Sequence, residues 1–154
     1  MNPVHKIQAL ITHIRPTLDL LQDDHFIIGA SALLLSGIPI EDTQDLDLVT
    51  SLRDAKTLKS VWNRQIKTGY KPGHADKFRS HFTRYQFDDM DIEVMGALEV
   101  KAGKEWQLLK VHAATMYDGN ERLKIPTLEE QRRILMQFGR DKDMKKAALI
   151  EAQK

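Results

Sequence analysis

The spacing of apolar residues divides the first third of the chain into alternating helices and strands. Apolar positions at steps of three and four predict an amphipathic helix over residues 4–21, which Pro16 is expected to kink or split. Short unbroken apolar runs predict buried strands over residues 26–28 and 46–49, with a short helix over residues 30–35 between them. The chain therefore opens as helix, strand, helix, strand.

The middle of the chain changes from helical to alternating spacing. Ser51 begins a capping box that predicts a helix ending near Trp62. Alternating residue types predict a hairpin with its turn at Asp88-Asp89, whose strands span residues 81–87 and 90–95. Three further strands are predicted over residues 106–111, 113–117 and 123–125.

Two helices are predicted to close the chain. Thr127 begins a second capping box, and Gly139 marks the end of the helix that follows it. The last helix is expected to start at Asp141. With no repeat or linker visible, the sequence predicts one α+β domain over residues 1–154, with a mixed or mostly antiparallel sheet flanked by helices.

Composition excludes several classes of protein. The 154 residues suit one domain, and a net charge of +1 argues against strong general attraction to nucleic acid, with a local basic patch of Lys142, Lys145 and Lys146 as the alternative. Because the chain has no Cys, disulfides, thiol catalysis and Cys-type zinc sites are excluded, which fits a cytoplasmic protein. No signal-peptide pattern and no apolar run near the ~18 residues of a membrane span is visible, so no membrane association is expected.

Two predicted strands each carry a pair of acidic residues two positions apart. Asp45 and Asp47 share one face of a strand, and so do Asp91 and Glu93, because alternate strand residues point the same way. Carboxylates repel one another and are costly to bury, so two such pairs within apolar strands indicate a bound cation. Oxygen ligands favour Mg²⁺. The alternative to a metal site is an edge strand with a solvated acidic face.

These residues together resemble the nucleotidyltransferase superfamily, which has the polymerase-β-like fold. Ile28-Gly29-Ala30-Ser31 resembles its strand-to-helix turn, Asp45-Leu46-Asp47 its paired acids, and Glu93 or Asp91 its third acid. The segment Gly139-Arg140-Asp141-Lys142-Asp143 looks like the ending of small stand-alone members of the aminoglycoside, lincosamide and abortive-infection types. The resemblance covers roughly residues 24–145.

The resemblance implies roles for the matching residues. Asp45, Asp47 and Glu93 are expected to be catalytic. Asp45 and Asp47 would bind the Mg²⁺ ions that carry the triphosphate, and Glu93, with Asp91 as the rival third ligand, would complete a second metal site and help to deprotonate the acceptor. The phosphates of ATP or another NTP are expected to contact five residues, namely Gly29, Ala30, Ser31, Arg140 and Lys142. Arg79 and Arg84 are interpreted as part of a solvated hairpin face, with contact of one of them to phosphate as the alternative.

The sequence also departs from the family pattern. Ala30 stands where Gly or Ser is usual, residues 41–44 lack the Arg that small members often carry, and Glu93 is longer than the usual Asp.

The first hypothesis is a Mg²⁺-dependent nucleotidyltransferase whose acceptor is a small molecule, a protein side chain or an RNA end. The alternative is an inactive binding or regulatory module with a protein partner, as in a toxin–antitoxin or phage-defence pair. A third reading is an unrelated α+β domain. With no separate acceptor domain, the last two helices or a second subunit of a homo-oligomer would hold the acceptor.

Overall fold

The computed structural model describes residues 2–88 and 90–153 and contains alternating helices and strands around one sheet. The helices are α1 (Pro3–Leu18), α2 (Gly29–Leu35), α3 (Leu52–Val61), α4 (Leu128–Phe138) and α5 (Asp141–Glu151), and a 3-10 turn spans Asn63–Gln65. The strands are β1 (His25–Ile28), β2 (Asp45–Thr50), β3 (Phe78–Gln86), β4 (Asp91–Ala102), β5 (Glu105–Leu108), β6 (Ala114–Tyr117) and β7 (Asn120–Pro126).

The seven strands form one mixed sheet in the order β3-β4-β2-β1-β7-β6, and β5 pairs with β4. Strand β2 runs antiparallel to β1 and parallel to β4, while β1 is also parallel to β7. The predicted α+β class, with a mixed sheet flanked by helices, is confirmed. Buried strands β1 and β2 lie in the middle of the sheet, where their unbroken apolar runs are shielded on both faces.

Helix α1 covers one face of the sheet with the predicted apolar stripe. Asn2 caps its first turn by accepting a hydrogen bond from the backbone N–H of Val4 at 2.8 Å. The stripe is buried and consists of Ile7, Leu10, Ile11, Ile14 and Leu18. Pro16 does not split the helix, which continues to Leu18; the burial of Leu18 keeps the last turn against the core.

The hairpin after α3 is longer than the alternation predicted. Strand β4 continues past residue 95 to Ala102, because β3 and β5 both pair with its second half. The strand predicted over residues 106–111 instead ends at Leu108. Asp88 precedes β4, but Asp89, the other half of the predicted turn, lies outside the described residues.

Helices α4 and α5 pack beside α2 on the other face of the sheet. Thr127 caps α4 as predicted, and Gly139 ends it in the left-handed conformation with φ of 68°. A buried cluster joins the three helices and contains Leu33, Ile38, Leu135, Ala147 and Ile150. Among the described residues, no helix is both long and apolar enough to cross a membrane.

Candidate active site

The parallel pairing of β2 and β4 brings the two acidic pairs together. Asp45 lies opposite Asp91, and Asp47 lies opposite Glu93. Carboxylate oxygens of Asp45, Asp47 and Glu93 all lie within 4.8 Å of one another. We call these three residues the carboxylate cluster. Paired residues on adjacent strands share a face, so this proximity follows from the register.

Gly29 makes room for the carboxylate cluster at the end of β1. The pairing of Ile28 with Asp47 sets the next residue, Gly29, against the Asp47 side chain. A Cβ atom at position 29 would lie 2.9 Å from Oδ2 of Asp47, and the residue has a φ of +71°. The backbone conformation therefore favours glycine at this turn, and an added Cβ atom would also push the Asp47 carboxylate from its present position.

Asp47 is the least satisfied member of the carboxylate cluster. Its Oδ1 atom is buried and has no hydrogen-bond partner among the described residues. Burial, reinforced by the neighbouring charges of Asp45 and Glu93, raises the pKa of Asp47 well above its usual range. Burial and Asp45 also raise the pKa of Glu93. A divalent cation would satisfy the unpartnered oxygen and offset the repulsion, so these residues fit a metal ligand set.

Arg84 contacts the carboxylate cluster from β3, the strand beyond β4. Its Nη1 lies 3.1 Å from Oδ2 of Asp45 and 3.0 Å from Oε2 of Glu93, and its Nε donates to Oδ2 of Asp91 at 2.7 Å. The side chain is 11% exposed, so the interpretation of Arg84 as a solvated surface residue was wrong. Arg79 pairs with Glu99 and is more than half exposed, as expected.

Asp91 lies beside the carboxylate cluster rather than within it. Its Oδ2 accepts hydrogen bonds from Arg84 and, at 3.3 Å, from Lys67. Burial alone would raise the pKa of Asp91, but these two hydrogen bonds bring it below its usual value. Asp91 thus has its partners already, whereas Asp47 lacks one.

A cavity of about 710 Å³ opens over the carboxylate cluster. The sheet and the turn at Gly29-Ala30 form one wall, and α4 and α5 form the other. The helical wall carries three cationic residues, namely Arg140, Lys142 and Lys146. Known ligand pockets span roughly 300–1,000 Å³, so the volume suits a nucleotide-sized molecule. A cleft with carboxylates on one side and cations on the other suits a metal-bound polyphosphate.

Comparison with solved structures identifies the fold. A Thermotoga maritima protein with a provisional nucleotidyltransferase assignment matches 97% of this chain and 94% of its own, with 16% sequence identity and a TM-score of 0.72. The chain has the nucleotidyltransferase fold. The solution structure of ANT(2'')-Ia, an antibiotic-resistance factor, matches 97% of this chain and 81% of its own, with 11% identity and a TM-score of 0.51.

A crystal structure of ANT(2'')-Ia in complex with adenylyl-2''-tobramycin matches 97% of this chain and 86% of its own, with 12% identity and a TM-score of 0.49. No protein-family model matches the chain, and no curated protein sequence matches it. The resemblance to nucleotidyltransferases, first seen in short motifs, is confirmed by the fold.

Within the nucleotidyltransferase fold, the predicted phosphate-binding residues have different surroundings. Gly29, Ala30 and Lys142 line the cavity. The Ser31 hydroxyl is buried and donates to the backbone carbonyl of Asp45 at 3.0 Å, so it fixes the turn to β2. Arg140 also lines the cavity, but its guanidinium is paired with Asp143 at 2.6 and 3.0 Å.

Lys146 is a cavity residue that the sequence placed only in a candidate basic patch and not in the site. It lies one helical turn after Lys142 and faces the Asp47 carboxylate, whose charge raises the Lys146 pKa; burial outweighs that effect and lowers it. The four-residue spacing from Lys142 was the available signal. A signal for Arg84 was also available. The predicted turn at Asp88-Asp89 would set Arg84 opposite Glu93, which is the pairing that β3 and β4 adopt.

Proposed function

We propose that the protein is a Mg²⁺-dependent nucleotidyltransferase that moves an NMP group from ATP or another NTP to an acceptor hydroxyl. The observation that carries this proposal is the buried Oδ1 of Asp47 within the carboxylate cluster, an atom that has no hydrogen-bond partner in the part of the chain that the structure describes. Three carboxylates that repel one another are costly to keep at the floor of a cavity, so their presence indicates a binding or catalytic role. The nucleotidyltransferase fold of the chain supports the same reaction class.

Each part of the cavity has a role in this reaction. Asp45, Asp47 and Glu93 would hold Mg²⁺, which neutralises charge on the phosphates when bound. We assign the third position to Glu93 because its oxygen lies with the other two, while Asp91 is held by Arg84 and Lys67. The N–H groups of the turn at Gly29 would hold phosphate oxygens.

The transfer step needs a proton acceptor. The acceptor hydroxyl oxygen forms a bond to the α-phosphorus, the bond from that phosphorus to the bridging oxygen breaks, and pyrophosphate leaves. Glu93, which lines the cavity within the carboxylate cluster, would take the hydroxyl proton. Lys142 and Arg140 line the opposite wall, where their charges would attract the triphosphate.

The acceptor is a small molecule, a protein side chain or an RNA end, held by α4 and α5 or by a second copy of the chain. The alternative function, that of a partner-binding module without turnover, would need a carboxylate cluster whose charge is neutralised without a metal. Arg84 already neutralises two members of the carboxylate cluster, Asp45 and Glu93. The two functions differ in whether a nucleotide binds in a Mg²⁺-dependent way.

Calorimetric titration of ATP, CTP, GTP and UTP, each with and without Mg²⁺, tests the proposed function. We expect at least one NTP to bind the wild-type protein only with Mg²⁺, and the Asp45→Asn/Asp47→Asn variant to lose that binding while remaining folded. The control is Glu105→Gln, which removes an exposed carboxylate from β5 and should bind like the wild type. If no NTP binds the wild type, the nucleotidyltransferase proposal fails and the partner-binding function gains support.

A further inference from the structure

Arg84 occupies the space between members of the carboxylate cluster. One nitrogen, Nη1, lies 3.1 Å from Asp45 and 3.0 Å from Glu93, so a single NH2 group bridges acids on two strands. The guanidinium therefore already neutralises part of the charge that a metal ion would neutralise. A metal and Arg84 must share these two carboxylates.

The guanidinium is also held by two contacts outside the carboxylate cluster. Its Nε donates to Asp91 at 2.7 Å, and the centre of the Tyr70 ring lies 4.7 Å from the guanidinium carbon. The side chain is 11% exposed. Arg84 also stands directly opposite Glu93 in the β3–β4 ladder, so the strand itself directs the side chain to the acids. Arginine keeps its charge at any physiological pH, which makes this a permanent cation of the site.

A second divalent cation would compete with Arg84 for the same oxygens. Paired metal ions in phosphoryl-transfer sites lie about 3.5–4 Å apart and share bridging carboxylates. Here one oxygen of Asp45 and one of Glu93 already face Nη1, while Oδ1 of Asp47 has no partner among the described residues. The remaining oxygens suffice for one cation beside Asp47, and a second would have to lie against the guanidinium.

We infer that Arg84 supplies the second positive charge of the site, so that the carboxylate cluster binds one divalent cation instead of two. This inference rests on the proposed function and concerns how its metal site is filled. Arg84 acts as a positioning residue, because it contacts the metal ligands and fixes Asp45 and Glu93 at a set separation. Removing the guanidinium frees the two oxygens that a second cation requires.

Counting bound Mn²⁺ tests this inference without any need for turnover. Mn²⁺ alone is titrated into the folded protein, and free ion is measured by electron paramagnetic resonance. We expect one Mn²⁺ per chain in the wild type and two in Arg84→Gln. Arg84→Lys keeps the charge and should return the count to one. Arg79→Gln is the matched control: it removes an arginine from the same strand whose partner, Glu99, lies outside the carboxylate cluster, and should leave one Mn²⁺.

Two results overturn the inference. A wild-type count other than one contradicts it directly, and this holds even if Arg84→Gln does not fold. A count of one in both the wild type and folded Arg84→Gln also contradicts it, but leaves the nucleotidyltransferase proposal intact. A count of zero in both proteins, together with no Mg²⁺-dependent NTP binding, would reject the proposed function as well.

Discussion

The position of the Asp47 carboxylate depends on the absence of a side chain at Gly29. Asp47 sits with its Oδ2 in the space that a Cβ atom of residue 29 would fill, and its Oδ1 is buried. The position of the acid is thus set by backbone from β1 as much as by its own strand. A change at residue 29 should therefore reach the carboxylate cluster without altering any charge.

We expect Gly29→Ala to lower the free energy of unfolding by about 1–2 kcal/mol, because alanine is strained at a φ of +71°, and to abolish Mg²⁺-dependent NTP binding. Gly37→Ala is the matched control. Gly37 has a φ of +87°, but no described heavy atom would lie within 4 Å of its added Cβ atom. It should lose similar stability yet bind NTP normally. Equal binding by both variants would show that Gly29 has no special relation to Asp47.

Individual residues show where the sequence was informative and where it was not. The carboxylates could be found because the two-residue period of a strand fixes which face they share. The orientation of Ser31 could not, because a hydroxyl at the start of a helix can face either a ligand or, as here, the carbonyl of Asp45. Arg84 was misread because exposure depends on the fold around a strand, which alternation alone does not reveal.

Between neighbouring elements, one loop ties α3 to the start of β1. Asp23 accepts hydrogen bonds from the Ser51 hydroxyl at 2.6 Å and from Arg53 at 2.7 Å. The buried carboxylate of Asp54 accepts in return from the backbone N–H of Asp23 at 2.8 Å. Hydrogen bonds from Arg53 and Ser51 lower the pKa of Asp23 to about 2. The loop therefore depends on the ionised form of this residue.

We expect Asp23→Asn to be less stable than the wild type at pH 7, and the difference to shrink as pH falls from about 4 towards 2. The folded-state pKa is depressed from 3.8 to about 2, so the stabilisation is fully present above 3.8 and is lost as the wild-type residue protonates. Urea unfolding followed by circular dichroism at several pH values measures the difference in free energy of unfolding between the two proteins. Glu105→Gln should match the wild type throughout. A difference that does not change with pH would contradict the role of the charge.

Helices could be predicted from the sequence more fully than strands. The capping residues Ser51 and Thr127 and the terminating Gly139 act locally, so their signals needed no knowledge of the fold. The extension of β4 to Ala102 depends on hydrogen bonds to β3 and β5, which lie elsewhere in the chain. Strand ends are set by such partners, and a local pattern cannot supply them.

Across the protein as a whole, α5 places cations opposite the carboxylates of the sheet. The sheet contributes the carboxylate cluster with its partner Arg84, and also Arg79, while the cations of the helical wall come from α5 and the residue before it. Helix α5 is anchored by Asp143, whose carboxylate accepts hydrogen bonds from both the backbone N–H and the guanidinium of Arg140. This pairing uses the charge of Arg140, so Lys142, which is exposed and lines the cavity, is the cation more available to a triphosphate.

We expect Lys142→Ala to weaken NTP binding about tenfold, because a charge-assisted contact to phosphate contributes roughly 1.5 kcal/mol. The free energy of unfolding should change by less than about 0.5 kcal/mol, as is usual for an exposed residue. Lys145→Ala removes an equally exposed lysine three residues further along α5 and outside the cavity lining. Calorimetry on both variants gives the comparison. Equal affinities would assign Lys142 to the solvated surface.

The close approach of Asp47 to Gly29 also constrains the order in which these two residues can change during evolution. The dependence is one-way: the acid needs the glycine, but the glycine turn can persist once the acid is gone. A lineage that abandons this chemistry is therefore free to replace Asp47 first, whereas a lineage that gains a side chain at position 29 loses the place of the acid in the same step. A homologue that keeps the glycine but lacks the acid could regain the acid by one substitution at position 47. A homologue with a side chain at position 29 would need a second substitution there.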